Sequence, residues 1–103
     1  SGPAYFFLLI EMLEQAGTKL GLPADVSRKL AVETAYGAGL MAREASESPA
    51  ILREQVTSKG GTTEAAVRSF DAANLRGIVT AALPAATERG REMARDFGQP
   101  GKK

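Results

Sequence analysis

Residues 3–21 read Pro3-Ala4-Tyr5-Phe6-Phe7-Leu8-Leu9-Ile10-Glu11-Met12-Leu13-Glu14-Gln15-Ala16-Gly17-Thr18-Lys19-Leu20-Gly21, and this stretch decides the fold. A proline at the first helical position costs no hydrogen bond, and a glycine just past the end can take the left-handed conformation that closes a helix. The stretch therefore predicts a helix from about Pro3 to Leu20. Its apolar side chains do not fit one stripe: Tyr5, Phe6, Leu8, Leu9, Met12, Leu13 and Ala16 cover nearly the whole circumference of the first half. A helix that is apolar all round is buried on several sides or packs against a second chain. The apolar run is too short to span a bilayer, which takes about 20 such residues. No basic segment precedes it, as a signal peptide requires.

The rest of the chain follows in helical pieces cut by breakers. A second helix is predicted from Pro23 to about Ala45, with Val26, Leu30, Thr34, Gly37, Met41 and Ala45 on one face at steps of three and four. Ala31, Ala35, Ala38 and Ala42 broaden that face with small side chains, which let a neighbouring helix come close. Ser48-Pro49 reads as an N-cap and first helical residue, opening a short helix to about Val56. Thr57-Ser58-Lys59-Gly60-Gly61-Thr62-Thr63 reads as a loop. A helix from Thr63 to about Ala73 follows, with Asn74 as its left-handed terminator, and a last helix covers Leu75 to Phe97. Pro84 inside that last helix removes a backbone donor and predicts a kink or a split there. Gly98-Gln99-Pro100-Gly101-Lys102-Lys103 reads as a frayed tail. The expectation is one all-α domain over residues 1–103, a bundle of about five helices, without the alternating pattern of strands.

Composition narrows the function. The chain has 103 residues, a length that suits one domain. Lys and Arg number 13 against 12 Asp and Glu, a formal net charge of +1, so nothing electrostatic calls for nucleic acid or an anionic membrane. There is no Cys and no His, which removes thiolate chemistry, the commonest metal ligand and the commonest general base. No metal site is expected. The lack of Cys fits a cytoplasmic protein. No initiator Met is present, and the expectation is a piece of a longer protein.

The 57–63 loop is the best candidate for chemistry. Two glycines let backbone approach a ligand without Cβ interference, and they lie just before a helix N-terminus, where free N–H groups and the helix dipole favour an anion. Thr57, Ser58, Thr62 and Thr63 add hydroxyls. Glu64 argues against a highly charged anion such as phosphate, and a single carboxylate fits better. The competing reading is an ordinary turn with a threonine N-cap. Gly37-Ala38-Gly39 imitates the start of a dinucleotide fingerprint, but that fingerprint follows a strand and opens a helix. Here the glycines fall mid-helix, where they favour close packing. Glu11, Glu14, Glu33 and Glu44 carry no pairing that demands acid–base work.

Three stretches together resemble the C-terminal domain of pyrroline-5-carboxylate reductases. Ser1-Gly2-Pro3-Ala4-Tyr5 is similar to the start of that domain. Gly17-Thr18-Lys19-Leu20-Gly21-Leu22-Pro23 is similar to the turn between its first two helices. Leu52-Arg53-Glu54-Gln55-Val56-Thr57-Ser58-Lys59-Gly60-Gly61-Thr62-Thr63 is similar to its most specific signature. The chain departs from the family at Lys59, where proline is usual, and at Pro84.

The resemblance implies an oxidoreductase that reduces Δ1-pyrroline-5-carboxylate to L-proline with NADPH or NADH, the last step of proline biosynthesis. It implies that the cofactor binds mainly to an N-terminal Rossmann domain absent from this chain, so the chain alone is expected to be inactive. The domain would interlock with a second copy as a homodimer, with a decamer as a pentamer of dimers. The backbone around Ser58, Gly60, Gly61 and Thr62 would hold the imino acid's carboxylate. Thr63 would hydrogen-bond the ring nitrogen and relay a proton. The alternative is a purely structural dimerisation module with no ligand contact.

Overall fold

The computed structural model describes residues 2–98; Ser1 and the tail from Gln99 onward lie outside the described residues. Among the described residues there are five helices and no strand: α1 (Gly2–Lys19), α2 (Ala24–Glu44), α3 (Pro49–Gln55), α4 (Thr62–Ala72) and α5 (Leu75–Asp96). The all-α expectation holds, and the breaks fall within a residue or two of where Pro, Gly and Asn placed them. The chain divides into two compact units, Ser1–Arg53 and Glu54–Lys103.

In the first unit α1 packs on α2. The end of α1 is a Schellman closure: Leu22 N–H donates to Gly17 O at 3.1 Å, Gly21 N–H to Thr18 O at 3.0 Å, and Gly21 takes φ +104°. This is the left-handed position that glycine fills without strain. Pro23, extended at φ −56° and ψ 146°, then caps α2 and receives the Ser27 N–H at 2.9 Å.

One contact sets how closely α1 and α2 approach. Gly17 sits against Ser27, and a Cβ there would collide with the Ser27 hydroxyl. Ser27 is 3% exposed, and its hydroxyl donates to Glu14 O at 2.6 Å. A buried hydroxyl without a partner costs a kilocalorie or more, and the Glu14 carbonyl provides the partner here. At the far end of α2, Ala45 turns extended, and Ser48 Oγ accepts the Ile51 N–H at 3.3 Å as the N-cap of α3.

In the second unit α4 packs on α5 through a two-residue turn. Asn74 stands at φ 63° and ψ 42°, a conformation that Asn tolerates better than most residues, and its Oδ1 accepts the Gly77 N–H at 3.3 Å. It therefore ends one helix and caps the next. An exposed Asp71–Arg76 pair at 3.1 Å spans the same turn. Pro84 does not split α5, which is continuous from Leu75 to Asp96. Proline removes one bond, the one its N–H would give to the Thr80 carbonyl, and on this exposed stretch water can satisfy that carbonyl.

Little of this chain is core. Ala31, Ala94 and Ser27 are the buried residues among those described. Much of the apolar surface of α1 is exposed: Phe6 is 66% exposed and Phe7 68%. On α2, Tyr36, Leu30 and Met41 are exposed, as are Ile78, Val79 and Leu83 on α5. A Cβ at Gly37 or Gly39 would meet nothing within 4 Å, so these mid-helix glycines are not filled by a close neighbour from this chain. Among the described residues, the close packing expected for them is not formed.

Candidate functional site

The loop between α3 and α4 is built from its backbone outward. Thr57 N–H returns to Glu54 O at 3.1 Å and ends α3. Ser58 to Gly61 then form a tight turn: Gly61 N–H donates to Ser58 O at 3.0 Å, and Gly60, its third residue, has φ +74°. A positive φ at that position is the type II pattern, which glycine occupies and which favours proline at the second residue. Lys59 holds that second place, so the turn keeps its glycine and lacks the proline ring that would stiffen it. Gly61 is restricted for a different reason. Its φ of −88° suits any residue, but a Cβ there would lie 2.6 Å from Ser58 Oγ and 3.2 Å from Ser58 O.

Gly61 is the N-cap of α4, so the helix starts at Thr62, one residue before the sequence places it. The cap has no side-chain hydrogen bond, and the threonine cap of the competing reading is not formed. A side chain three residues on takes part instead: Glu64 Oε1 accepts the Gly60 N–H at 3.0 Å. This is the reach-back half of a capping box, displaced by one residue toward the N-terminus. The Glu64 carboxylate also lies 3.7 Å from Arg68 Nη2, one helical turn along α4.

Ser58, Gly60, Gly61, Thr62 and Thr63 are thus contiguous around one helix start, with Ser58, Gly60, Thr62 and Thr63 exposed and Gly61 half-buried. Their donors are unequal. The Gly60 N–H is taken by Glu64 and the Gly61 N–H by Ser58 O. The N–H groups of Thr62 and Thr63, in the first turn of α4, have no intrahelical acceptor. With the positive end of the helix dipole and the two threonine hydroxyls, these are what the loop offers an anion. In the sequence, Glu64 reads only as a charge opposed to phosphate. The spacing Gly61-Thr62-Thr63-Glu64, an N-cap followed by an acid at the third helical residue, was the available signal for its structural use.

Among the described residues, no three His, Cys, Asp or Glu side chains gather to hold a metal ion. Among the same residues, no helix is long and apolar enough to cross a membrane. Gly37-Ala38-Gly39 lies inside α2 with no strand before it, so the phosphate cradle of the fingerprint is not formed.

Fold and loop together define a class: an all-α domain with an uncovered apolar helix and a glycine turn that feeds a helix N-terminus. Within that class, the chain belongs to the pyrroline-5-carboxylate reductase dimerisation family, which it matches over residues 1–93. It is 48% identical over 99 residues to the pyrroline-5-carboxylate reductase of Pseudomonas aeruginosa, covering 96% of this chain and 36% of that protein. It is 43% identical over 94 residues to that of Pisum sativum, covering 91% of this chain and 34% of the relative. Its fold matches a pyrroline-5-carboxylate reductase structure from Coxiella burnetii with a TM-score of 0.86 at 44% identity, over 89% of this chain and 34% of that one. It also matches the NADP-bound pyrroline carboxylate reductase of Plasmodium falciparum, with a TM-score of 0.85 at 33% identity, over 89% and 35% of the two chains. The chain therefore spans about a third of the length of the relatives it matches.

Proposed function

We propose that residues 1–103 act as one domain, the dimer-forming and substrate-holding part of a cytoplasmic reductase that converts Δ1-pyrroline-5-carboxylate to L-proline. NADPH or NADH supplies the hydride for the C=N carbon, and in this proposal it is held by a Rossmann domain outside this chain. The domain itself grips the imino acid. The first-turn N–H groups of Thr62 and Thr63 receive the single carboxylate, with Ser58 and the Gly60-Gly61 backbone shaping the approach. The Thr63 hydroxyl hydrogen-bonds the ring nitrogen and passes a proton as the imine becomes an amine. With no His and no Cys in the chain, a hydroxyl or water is the local donor for that step.

The observation that carries the proposal is the tight Ser58–Gly61 turn delivering a helix start with unspent donors. The apolar exposure of α1 supports the second half of the reading, an interlocked homodimer able to assemble further as a pentamer of dimers.

Thr63→Ala in the full-length reductase tests the site. Losing one hydrogen bond to the reacting ring costs about 1–3 kcal/mol, roughly tenfold to a hundredfold in kcat/KM. Normal kinetics with the imino acid would remove Thr63 from the site. One observation favours a second reading, a structural module whose loop is only a turn: both glycine N–H groups are spent inside the loop. Loss of assembly in the Thr63 variant without a defect in the residual dimer's turnover would support that reading.

A further inference from the structure

Glu64 reaches back from α4 and fastens the backbone of the turn. Its Oε1 holds the Gly60 N–H at 3.0 Å. Without that bond, the Lys59-Gly60-Gly61 segment has two glycines and no proline to hold the turn that the Gly61 N–H to Ser58 O bond closes. Glycine visits positive and negative φ about equally, so such a segment does not keep Gly60 at +74° unaided. The Glu64 carboxylate is itself steadied. Its side chain is 29% exposed, it stands in the first turn of α4 where the dipole favours negative charge, and Arg68 lies 3.7 Å away.

Resting on the reading of this loop as the substrate-carboxylate site, we infer that Glu64 is its positioning residue: it ties Gly60 to the first turn of α4 and keeps the loop in the form that leaves the Thr62 and Thr63 donors open. Glu64 touches no substrate. It acts through the backbone of Gly60, and its effect is on the fraction of molecules ready to bind. The apparent dissociation constant of a ligand rises as that fraction falls.

The inference is tested in the full-length reductase with Glu64→Ala and Glu64→Gln. An amide oxygen accepts the same hydrogen bond as the carboxylate. Glu64→Ala is expected to raise the KM for the imino acid roughly threefold to tenfold, with kcat and the KM for NAD(P)H unchanged, as one lost hydrogen bond predicts. Glu64→Gln is expected to stay within about twofold of wild type, because the acceptor is retained. Hydrogen exchange of the Gly60 amide is expected to accelerate in the alanine variant and not in the glutamine variant, a readout independent of turnover.

A KM that falls in Glu64→Ala would overturn the inference, since it would make Glu64 a competitor of the substrate's carboxylate. Equal defects in both variants would overturn it too, because charge and not the acceptor would then matter. Gly61→Val and Thr63→Ala, measured alongside, separate the two levels. If they weaken imino-acid binding while Glu64→Ala does not, the positioning role fails and the site stands. If all of these variants bind normally, the site and the positioning role fall together.

Discussion

Replacing Gly17 with alanine would push apart the two helices that form the first unit. The new methyl would collide with the Ser27 hydroxyl and come within 3.3 Å of Ser27 Cβ and 3.4 Å of Leu22 Cδ1. Overpacking of a tight contact costs about 1–3 kcal/mol. The hydrogen bond from Ser27 Oγ to Glu14 O, 2.6 Å long, would be displaced, at a further cost of about 1 kcal/mol. Against this, alanine in a helix is favoured over glycine by about 0.5–1 kcal/mol. The net expectation is a loss of about 1–3 kcal/mol, despite a substitution that local helix propensity alone would call stabilising.

Urea unfolding at one fixed protein concentration measures this, since stability of an oligomer depends on concentration. The companion variant Ser27→Ala removes the colliding oxygen at a cost of about 1 kcal/mol from the lost bond. Combined with Gly17→Ala it should be less destabilised than the sum of the singles, by at least about 1 kcal/mol. A Gly17→Ala protein as stable as wild type, or strictly additive effects of the two changes, would show that the Gly17–Ser27 contact does not limit the approach of α1 and α2.

Gly61→Val in the full-length reductase should raise the KM for the imino acid steeply and leave NAD(P)H binding unchanged, because a side chain there meets Ser58 Oγ and O; steady-state kinetics with each substrate varied in turn decides it. Pro84→Ala should stabilise α5 by about 1–3 kcal/mol, since it restores the donor to the Thr80 carbonyl, and a lower thermal midpoint would contradict this. Replacing Phe6 and Phe7 together by aspartate should weaken self-association at least about a hundredfold, because both rings are more than half exposed in the single chain and a second copy is proposed to bury them. Analytical ultracentrifugation of the double variant reads that loss.

The helices were legible because their punctuation is local. Gly21, Ser48-Pro49 and Asn74 act on their own few residues, through a left-handed φ, a side-chain cap or a missing donor, and each does in the structure what its chemistry predicts. The Gly17–Ser27 contact was not legible. The two residues are ten apart, and nothing in either one's neighbourhood tells that the end of α1 will meet the start of α2. The site was legible as a segment and not as a set of bonds. Two glycines and four hydroxyl residues marked the loop, yet which N–H groups remain open depends on Glu64 folding back and on the turn closing at Ser58 O. Of the two outcomes that Pro84 allows in sequence, a kink or a split, the split does not occur: α5 runs for 22 residues through it.

A second copy of the same chain is proposed to complete the uncovered apolar faces of this domain. A soluble monomer rarely exposes so large a contiguous apolar surface as the one from Tyr5 to Leu13. Sedimentation equilibrium of the 103-residue chain at micromolar concentration measures it directly. The expected mass is twice 10.8 kDa, or a multiple of that dimer, held through an interface well above about 1,000 Å². A stable, well-folded species of 10.8 kDa under the same conditions would contradict it.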